Sequence, residues 1–338
     1  MSILIALLVL GVIIMIHELG HFVAARICKM PISEFAIGMG PEIYSYYTGK
    51  TLYSIRAIPI GGFVNIDGME VESKVRNGFN SKPAYERFFV LFAGVFMNFI
   101  LAFTIIFGSL MINGKAVQST KPVVGETLQE SKAYKYLKPG DKIEKLNNIS
   151  IEKWDDIGKA LKGNKSKEIP VVIERKGEEM TLDVPLTLVP QREERILGII
   201  PEFTVEKYGL VDGITTSFKT FGNVFVDTVK GLKMLVTGKV KADEISGPVG
   251  IVKIVGQASR GGGLVLLWLT AILSINVGIF NLLPFPALDG GRILFVILEM
   301  VGIKVNKKLE EKVHMAGMFI LFALIIFATA NDVFNLTK

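Results

Sequence analysis

The run His17-Glu18-Leu19-Gly20-His21 combines side chains that can bind a metal and move a proton. If the run is helical, both histidines project from one face and can bind one Zn²⁺ through neutral imidazoles. Glu18 then lies beside the metal's water and can act as general base. The alternative, two histidines packed in a helix bundle, is weak inside an apolar span, where ionisable groups are costly unless paired or liganded. The run therefore predicts a catalytic site with one zinc ion per chain.

A catalytic zinc takes three protein ligands and keeps a fourth position for water, so one ligand must come from elsewhere in the chain. Asp289 ends the charge-free run Leu264–Leu288, where a carboxylate needs a counter-charge or a metal. A carboxylate at a helix end in the headgroup region is the alternative for this residue. His314, the only other histidine, is a second candidate that no nearby motif supports. We predict Asp289 as the third ligand.

Apolar runs indicate how these residues are positioned. Half of the residues are apolar and the mean hydropathy is positive, which is typical of a multi-span membrane protein. The runs at 88–112, 264–288 and 313–330 reach the roughly 18 to 20 residues that a spanning helix needs. The run at 3–25 is predicted to be a retained span with buried polar groups. A secretory signal is the alternative, but no basic residue precedes Arg26.

Basic residues predict the orientation in the membrane. The loops 26–87 and 289–312 are rich in Lys and Arg, so both are expected to face the cytoplasm. Both termini and the segment 113–263 are then extracytoplasmic. The net charge of +6 is modest and belongs partly to these loops, which argues against nucleic acid as a partner. The single cysteine, Cys28, excludes an internal disulfide framework and a cysteine-based zinc site.

The predicted fold class is a polytopic α-helical membrane protein with about four transmembrane helices, membrane-associated β-hairpins and an extracytoplasmic α+β domain. The membrane part is expected in two halves, 1–112 and 264–338, with short strands and hairpins at 30–81. Residues 113–203 are predicted to form the α+β domain, with a helix at 154–161 and strands at 169–175 and 180–186. Residues 204–263 are predicted to be an amphipathic, juxtamembrane helical segment. Within it, the spacing at 204–240 indicates a helix lying at the membrane surface, with a helix packed in the outer domain as the alternative.

These motifs, in this order, resemble the site-2 protease family of intramembrane zinc metalloproteases. The resemblance rests on residues 17–26 (HELGHFVAAR), on Leu288-Asp-Gly-Gly291, and on a PDZ-like run at 137–143 between them. It covers nearly the whole chain and is nearest to the bacterial regulator of sigma-E protease type. It implies His17, His21 and Asp289 as ligands and Glu18 as general base. No clear peptide-gripping loop accompanies the PDZ-like run, so this domain is expected either to bind peptide tails or to act as a size filter.

The same resemblance implies further contacts with substrate. The stretch 274–286 matches the family segment that holds an unwound substrate through two asparagines and two prolines, here Asn276, Asn281, Pro284 and Pro286. Asparagine can donate to and accept from a freed backbone, although both asparagines could instead tie helices together. Gly38 and Gly40 resemble a β-element that adds a strand to the substrate, with a simple cytoplasmic hairpin as the alternative.

The expected function is hydrolysis of a peptide bond in or near the transmembrane segment of a single-span membrane protein. Membrane lipids are the other expected partners, and the active site is expected to open to the cytoplasmic side of the cell membrane. Anti-sigma factors and signal-peptide remnants are the substrates that the resemblance implies. The alternatives are a zinc-binding membrane transporter and an inactive scaffold whose outer domain binds peptides.

Overall fold

A computed structural model describes residues 2–69, 75–189, 194–239, 247–303 and 306–336. The chain divides into two compact units, one formed by residues 1–110 and 210–338 and the other by residues 111–209. The first unit contains the predicted zinc site. The predicted segments 30–81 and 204–263 lie partly outside the described residues, at 70–74 and 240–246.

Helices make up most of the first unit. They are α1 (Ser2–Ile27), α2 (Ala84–Asn113), α4 (Leu210–Val236), α5 (Pro248–Arg260), α6 (Gly263–Leu282), α7 (Asp289–Met300) and α8 (Lys307–Leu336), with a short 3₁₀ turn at Phe79–Ser81. Among the described residues, α1, α2, α6 and α8 are long and apolar enough to cross a membrane. Only 6% of the apolar stretch of α8 is buried, so its apolar surface suits contact with lipid.

The third apolar run is shorter as a helix than the sequence predicted. We expected a span over 264–288, but α6 ends at Leu282 and Asp289 begins a separate helix, α7. Pro284 and Pro286 explain the break, because proline lacks the N–H that a helix interior needs and disfavours helical geometry in the residue before it. Asp289 therefore lies at a helix start rather than at the end of a span.

The segment 204–263 begins with a strand and continues with two separate helices, α4 and α5. α4 lies within the stretch 204–240, whose spacing predicted a helix. Phe221 and Phe225 of α4 pack against Phe99 of α2, so α4 groups with the apolar helices and not with the 111–209 unit. α5 packs against α1, α6 and α8. α4 thus has hydrophobic partners among the helices of its own unit, and its position at the membrane surface stays a prediction.

The N-terminus of α5 is held by a carboxylate from α8. Asp332 is 8% exposed, and its two oxygens accept the backbone N–H groups of Gly247 at 3.0 Å and Gly250 at 2.8 Å. The first N–H groups of a helix have no partner within the helix, so a side-chain acceptor stabilises the helix start. Here the acceptor comes from a distant part of the chain.

Two long strands pair where short strands and hairpins were predicted. β1 (Ile32–Tyr47) and β2 (Leu52–Ile66) have several register shifts, and Phe35 of β1 has two partners, Tyr53 and Val64. The stretch 34–37 of β1 therefore lies between two segments of β2, and the stretch 62–66 forms an outer edge. The predicted β-hairpin is confirmed, but its strands are longer than expected, because Gly and Pro residues that read as turns are instead places where a continuous strand bends.

The second unit has its own α+β core. The helix α3 (Trp154–Leu161) and the strands β7 (Glu168–Arg175) and β8 (Glu178–Pro185) confirm the elements predicted there. With β5 (Lys142–Leu146) and β6 (Ile149–Ser150) the strands form a sheet in the order β6-β5-β7-β8. The remaining strands form the pairs β3 (Lys115–Gln118) with β12 (Phe203–Glu206), β4 (Val124–Thr127) with β11 (Ile199–Pro201), and β9 (Thr187–Val189) with β10 (Glu194–Ile196); a 3₁₀ turn lies at Lys132–Lys135.

Replacing Asp332 tests the link between α5 and α8. Asp332→Ala leaves the N–H groups of Gly247 and Gly250 without their acceptor, so we expect a loss of about 1–2 kcal/mol in the free energy of unfolding. Amide hydrogen exchange of the purified protein in detergent should be faster at the start of α5. Asp332→Asn keeps an acceptor oxygen and is the matched control. Unchanged exchange at these two amides in the alanine variant would contradict the link.

Candidate metal centre

Helix α1 presents both histidines of the motif to one side. His17 and His21 are each 6% exposed, and they face the start of α7. His17 Nε2 lies 2.9 Å from Asp289 Oδ2, His21 Nε2 lies 3.3 Å from the same oxygen, and the two Nε2 atoms are 3.1 Å apart. The structure thus brings together the three residues that the sequence proposed as ligands, and these form the potential metal-binding group found among the described residues.

The spacing of these atoms fits zinc. Ligands about 2.0–2.1 Å from a tetrahedral zinc are roughly 3.3 Å from one another, close to the three distances observed. His21 Nδ1 is 2.8 Å from the Val90 carbonyl, which can only accept, so the imidazole donates there and leaves a lone pair on Nε2. That lone pair faces Asp289 Oδ2 and, when His17 carries its proton on Nδ1, the lone pair of His17 Nε2 as well, an arrangement that a cation stabilises.

Asn98 is a site residue that the sequence reading missed. Its side chain is fully buried, its Nδ2 lies 3.4 Å from His17 Nδ1, and its Oδ1 has no partner among the described residues. Turning the amide over places Oδ1 where it can accept the N–H of a zinc-bound His17. The available signal was an amide in the middle of the apolar run 88–112, where a polar side chain needs a specific partner.

Two glycines allow α1 and α2 to approach closely. A Cβ at Gly20 would collide with the carbonyl of Ala93, and a Cβ at Gly94 would collide with the ring of His21, including Nε2. The absence of side chains here lets the imidazole of His21 reach the Val90 carbonyl. Small residues at a helix crossing in a membrane protein permit this kind of backbone contact.

Glu18 lies in a cavity of about 390 Å³ that His17, His21 and Asp289 also line. Its Oε2 accepts the backbone N–H of Val64 at 3.1 Å, on the outer edge of β2. This hydrogen bond fixes the carboxylate without using a charged partner. The carboxylate is therefore held beside the three candidate ligands and within the same open space.

The other predicted site residues separate into two groups. Asn281 lines the cavity. Asn276 accepts from the Thr228 hydroxyl at 2.7 Å, so it ties α6 to α4, and it is not among the residues that line the cavity. Gly38 and Gly40 lie in β1 with φ of +89° and +83°, where they allow the strand to bend, and they do not line the cavity either.

The loop between α6 and α7 contains the prolines and meets α8. Pro284 is exposed, whereas Pro286 packs against Gly317 of α8. His314 does not join the three candidate ligands, because its Nδ1 accepts the backbone N–H of Ala287 at 3.0 Å. The second candidate for the third ligand therefore has a different partner.

Four apolar helices and a buried histidine, histidine and aspartate centre beside a glutamate define a membrane zinc metalloprotease. The chain belongs to Peptidase family M50, whose sequence profile matches residues 5–325. The resemblance to site-2 proteases is thereby confirmed, and the protein is a multi-pass membrane metalloprotease that uses Zn²⁺.

Several relatives resemble the chain along its length. A protein of Fusobacterium nucleatum subsp. nucleatum named "Putative zinc metalloprotease FN1322" is 48% identical, with 99% of each chain covered. The "Regulator of sigma-W protease RasP" of Bacillus subtilis is 29% identical, with 97% of each covered. Among solved structures, the PDZ domain of an SdrC-like protein from Listeria monocytogenes covers 25% of this chain and 90% of its own, at 15% identity and a TM-score of 0.23.

A methyl group at Gly94 should disturb the zinc site. In Gly94→Ala the added Cβ collides with His21, so we expect zinc affinity to fall by roughly a hundredfold. Gly108→Ala is the matched control on the same helix, because a Cβ there meets nothing within 4 Å. Zinc affinity is measured by chelator competition on purified protein. Equal affinities for the two variants would show that Gly94 does not make room for His21.

Removing the amide of Asn98 should weaken zinc binding more moderately. Asn98→Leu keeps much of the volume but leaves the Nδ1–H of His17 without an acceptor, so we expect roughly a tenfold loss of zinc affinity. Asn98→Asp keeps an acceptor and should retain most of the affinity, since carboxylate, histidine and zinc often form a chain. If the leucine variant binds zinc as tightly as the wild type, Asn98 does not orient His17.

Proposed function

We propose that this enzyme hydrolyses a peptide bond in or near the transmembrane helix of a single-span membrane protein. His17, His21 and Asp289 act as the zinc ligands, and Glu18 is the general base. The observation that carries the proposal is the meeting of the three ligand atoms at 2.9 to 3.3 Å in a cavity that also contains Glu18. Both histidines belong to a helix that is apolar enough to cross a membrane, which favours a membrane-embedded substrate.

The side chains around the cavity can divide the chemical work. When bound, zinc supplies Lewis acidity to the scissile carbonyl and to the attacking water. The Val64 N–H holds one oxygen of Glu18, and the carboxylate can take a proton from the attacking water and pass it to the leaving amine. Asn281 lines the same cavity. Its amide can donate hydrogen bonds to an unwound substrate backbone and accept them from it.

The β-sheet supports an extended conformation of the substrate near Glu18. Residues 62–66 of β2 form an outer edge of the sheet, and Phe63 and Val64 line the cavity. A sheet edge can accept a further strand, here at positions other than the Val64 N–H, which Glu18 already accepts. This edge is better placed for strand addition than the predicted contacts Gly38 and Gly40, and Asn281 is better placed than Asn276, which already has a partner in Thr228.

The charge pattern supports an active site open to the cytoplasm. The basic loops 26–87 and 289–312 both adjoin the site, one after α1 and the other at the start of α7. Under the positive-inside rule, both termini and the 111–209 unit are then extracytoplasmic. The PDZ-like character of that unit, with a role in tail binding or size selection, is part of the proposal, as are anti-sigma factors and signal-peptide remnants as substrates. The similarity to the Bacillus subtilis protein named "Regulator of sigma-W protease RasP" favours the first substrate class.

Two substitutions separate metal binding from proton transfer. Glu18→Gln removes the general base and should lower turnover roughly a thousandfold while zinc is retained. Asp289→Asn should lose both turnover and zinc, because a carboxylate ligand becomes a weak amide ligand. The test is metal analysis of protein purified in detergent, followed by cleavage of a tagged transmembrane peptide.

Zinc transport across the membrane is the alternative function that the same variants can test. It would be indicated by zinc flux into vesicles that survives Glu18→Gln, with no cleavage of any transmembrane peptide by the wild type. If the protein is instead an inactive scaffold, Glu18→Gln should leave its cellular function intact. Full turnover by either variant would exclude the assigned roles.

A further inference from the structure

The backbone just before Asp289 is strained. Ala287 has φ of +80°, a left-handed conformation that residues with a Cβ rarely adopt. Such a conformation costs free energy and persists where surrounding contacts enforce it. Ala287 lies two residues before Asp289, so its conformation sets the direction in which the chain enters α7. The contacts that enforce this geometry therefore act on the position of the carboxylate.

One of these contacts comes from α8. The Ala287 N–H donates to His314 Nδ1 at 3.0 Å. One helical turn further, Gly317 packs so closely that a Cβ there would collide with Pro286. These are successive positions on one face of α8, and both contact the loop between α6 and α7.

Contacts from α7 hold the other side of the loop. A Cβ at Gly290 would collide with the carbonyl groups of Leu282 and Leu283, and a Cβ at Gly291 would collide with the carbonyl of Phe285. The loop is thus packed between the start of α7 and the middle of α8. Little freedom remains for the residue that begins α7, which is Asp289.

The hydrogen-bonding chemistry of His314 favours a specific role over simple packing. Because Nδ1 accepts a hydrogen bond, the proton of the neutral ring is on Nε2, which is buried without a partner among the described residues. The edge of the ring packs against Phe295, with centroids 5.6 Å apart. An apolar side chain would fill this space without an unsatisfied N–H, so the presence of an imidazole here points to the bond at Nδ1.

We propose that His314 is a positioning residue for the zinc centre. By accepting the Ala287 N–H it holds the left-handed turn that directs Asp289 toward His17 and His21. This inference rests on the proposed role of Asp289 as the third ligand. His314 is not one of the proposed metal ligands, and it acts from helix α8 through the backbone of the loop.

Zinc affinity and the absorption spectrum of the Co²⁺-substituted protein test the role of His314. His314→Phe keeps an aromatic ring but removes the acceptor, and it should weaken zinc binding roughly tenfold to a hundredfold and change the ligand-field bands of Co²⁺. His314→Asn places an amide oxygen close to the position of Nδ1 and should keep the affinity within about threefold. Both variants are purified as full-length protein in detergent.

Ala287→Gly provides a rescue that a packing defect would not show. Glycine adopts positive φ without strain, so the turn no longer depends on the hydrogen bond from α8. The double variant Ala287→Gly with His314→Phe should regain at least about fivefold in zinc affinity relative to His314→Phe alone. Asp332→Ala, which disturbs the far end of α8, is the matched control and should leave the Co²⁺ spectrum unchanged.

The possible outcomes distinguish the two proposals. Wild-type zinc affinity and an unaltered Co²⁺ spectrum in His314→Phe would overturn the role of His314, while loss of zinc in Asp289→Asn would still support the ligand set. Wild-type affinity in Asp289→Asn would overturn the ligand set itself. If His314→Phe does not fold, failure of Ala287→Gly to restore it, together with weak zinc binding by His314→Asn, would also overturn the positioning role.

Discussion

The meeting of His17, His21 and Asp289 is the interaction on which the membrane part of this protein depends. It joins His17 to a residue 272 positions away in the chain. Three atoms with lone pairs approach one another in a buried space, and a divalent cation turns this repulsion into attraction. With the proposed ligand set, zinc would serve the reaction and would also hold α1 against the start of α7. Metal sites whose ligands come from distant segments contribute in this way to the stability of the fold.

The apolar surroundings explain why backbone groups form hydrogen bonds to the side chains of the site. Lipid offers no hydrogen bonds, so each polar atom near the centre needs a partner from the protein. The Val90 carbonyl orients His21, and the Val64 N–H orients Glu18. Both partners are backbone groups, which have less conformational freedom than a long side chain. Close helix packing at Gly20 and Gly94 is the condition for this arrangement, because a larger residue would push the two helices apart.

The sequence predicted the elements whose evidence is local. Apolar runs marked the spanning helices, and spacing within five residues marked the histidine and glutamate motif. The length of the bent strands β1 and β2 escaped prediction because their glycines and prolines have the same local signature as turns. Asn98 and His314 escaped because each is defined by a contact with a distant segment, His17 in one case and Ala287 in the other. Local patterns carry no information about such pairings.

The pairing of β3 with β12 has a consequence for how this architecture can change. The first and last strands of the 111–209 unit run side by side, so the chain enters and leaves that unit at neighbouring points. The distance between those points is fixed by the strand pair and not by the number of residues in between. Such a unit can grow or shrink during evolution while the helices that carry the zinc centre keep their spacing. Length variation among homologues is compatible with a constant catalytic core for this reason.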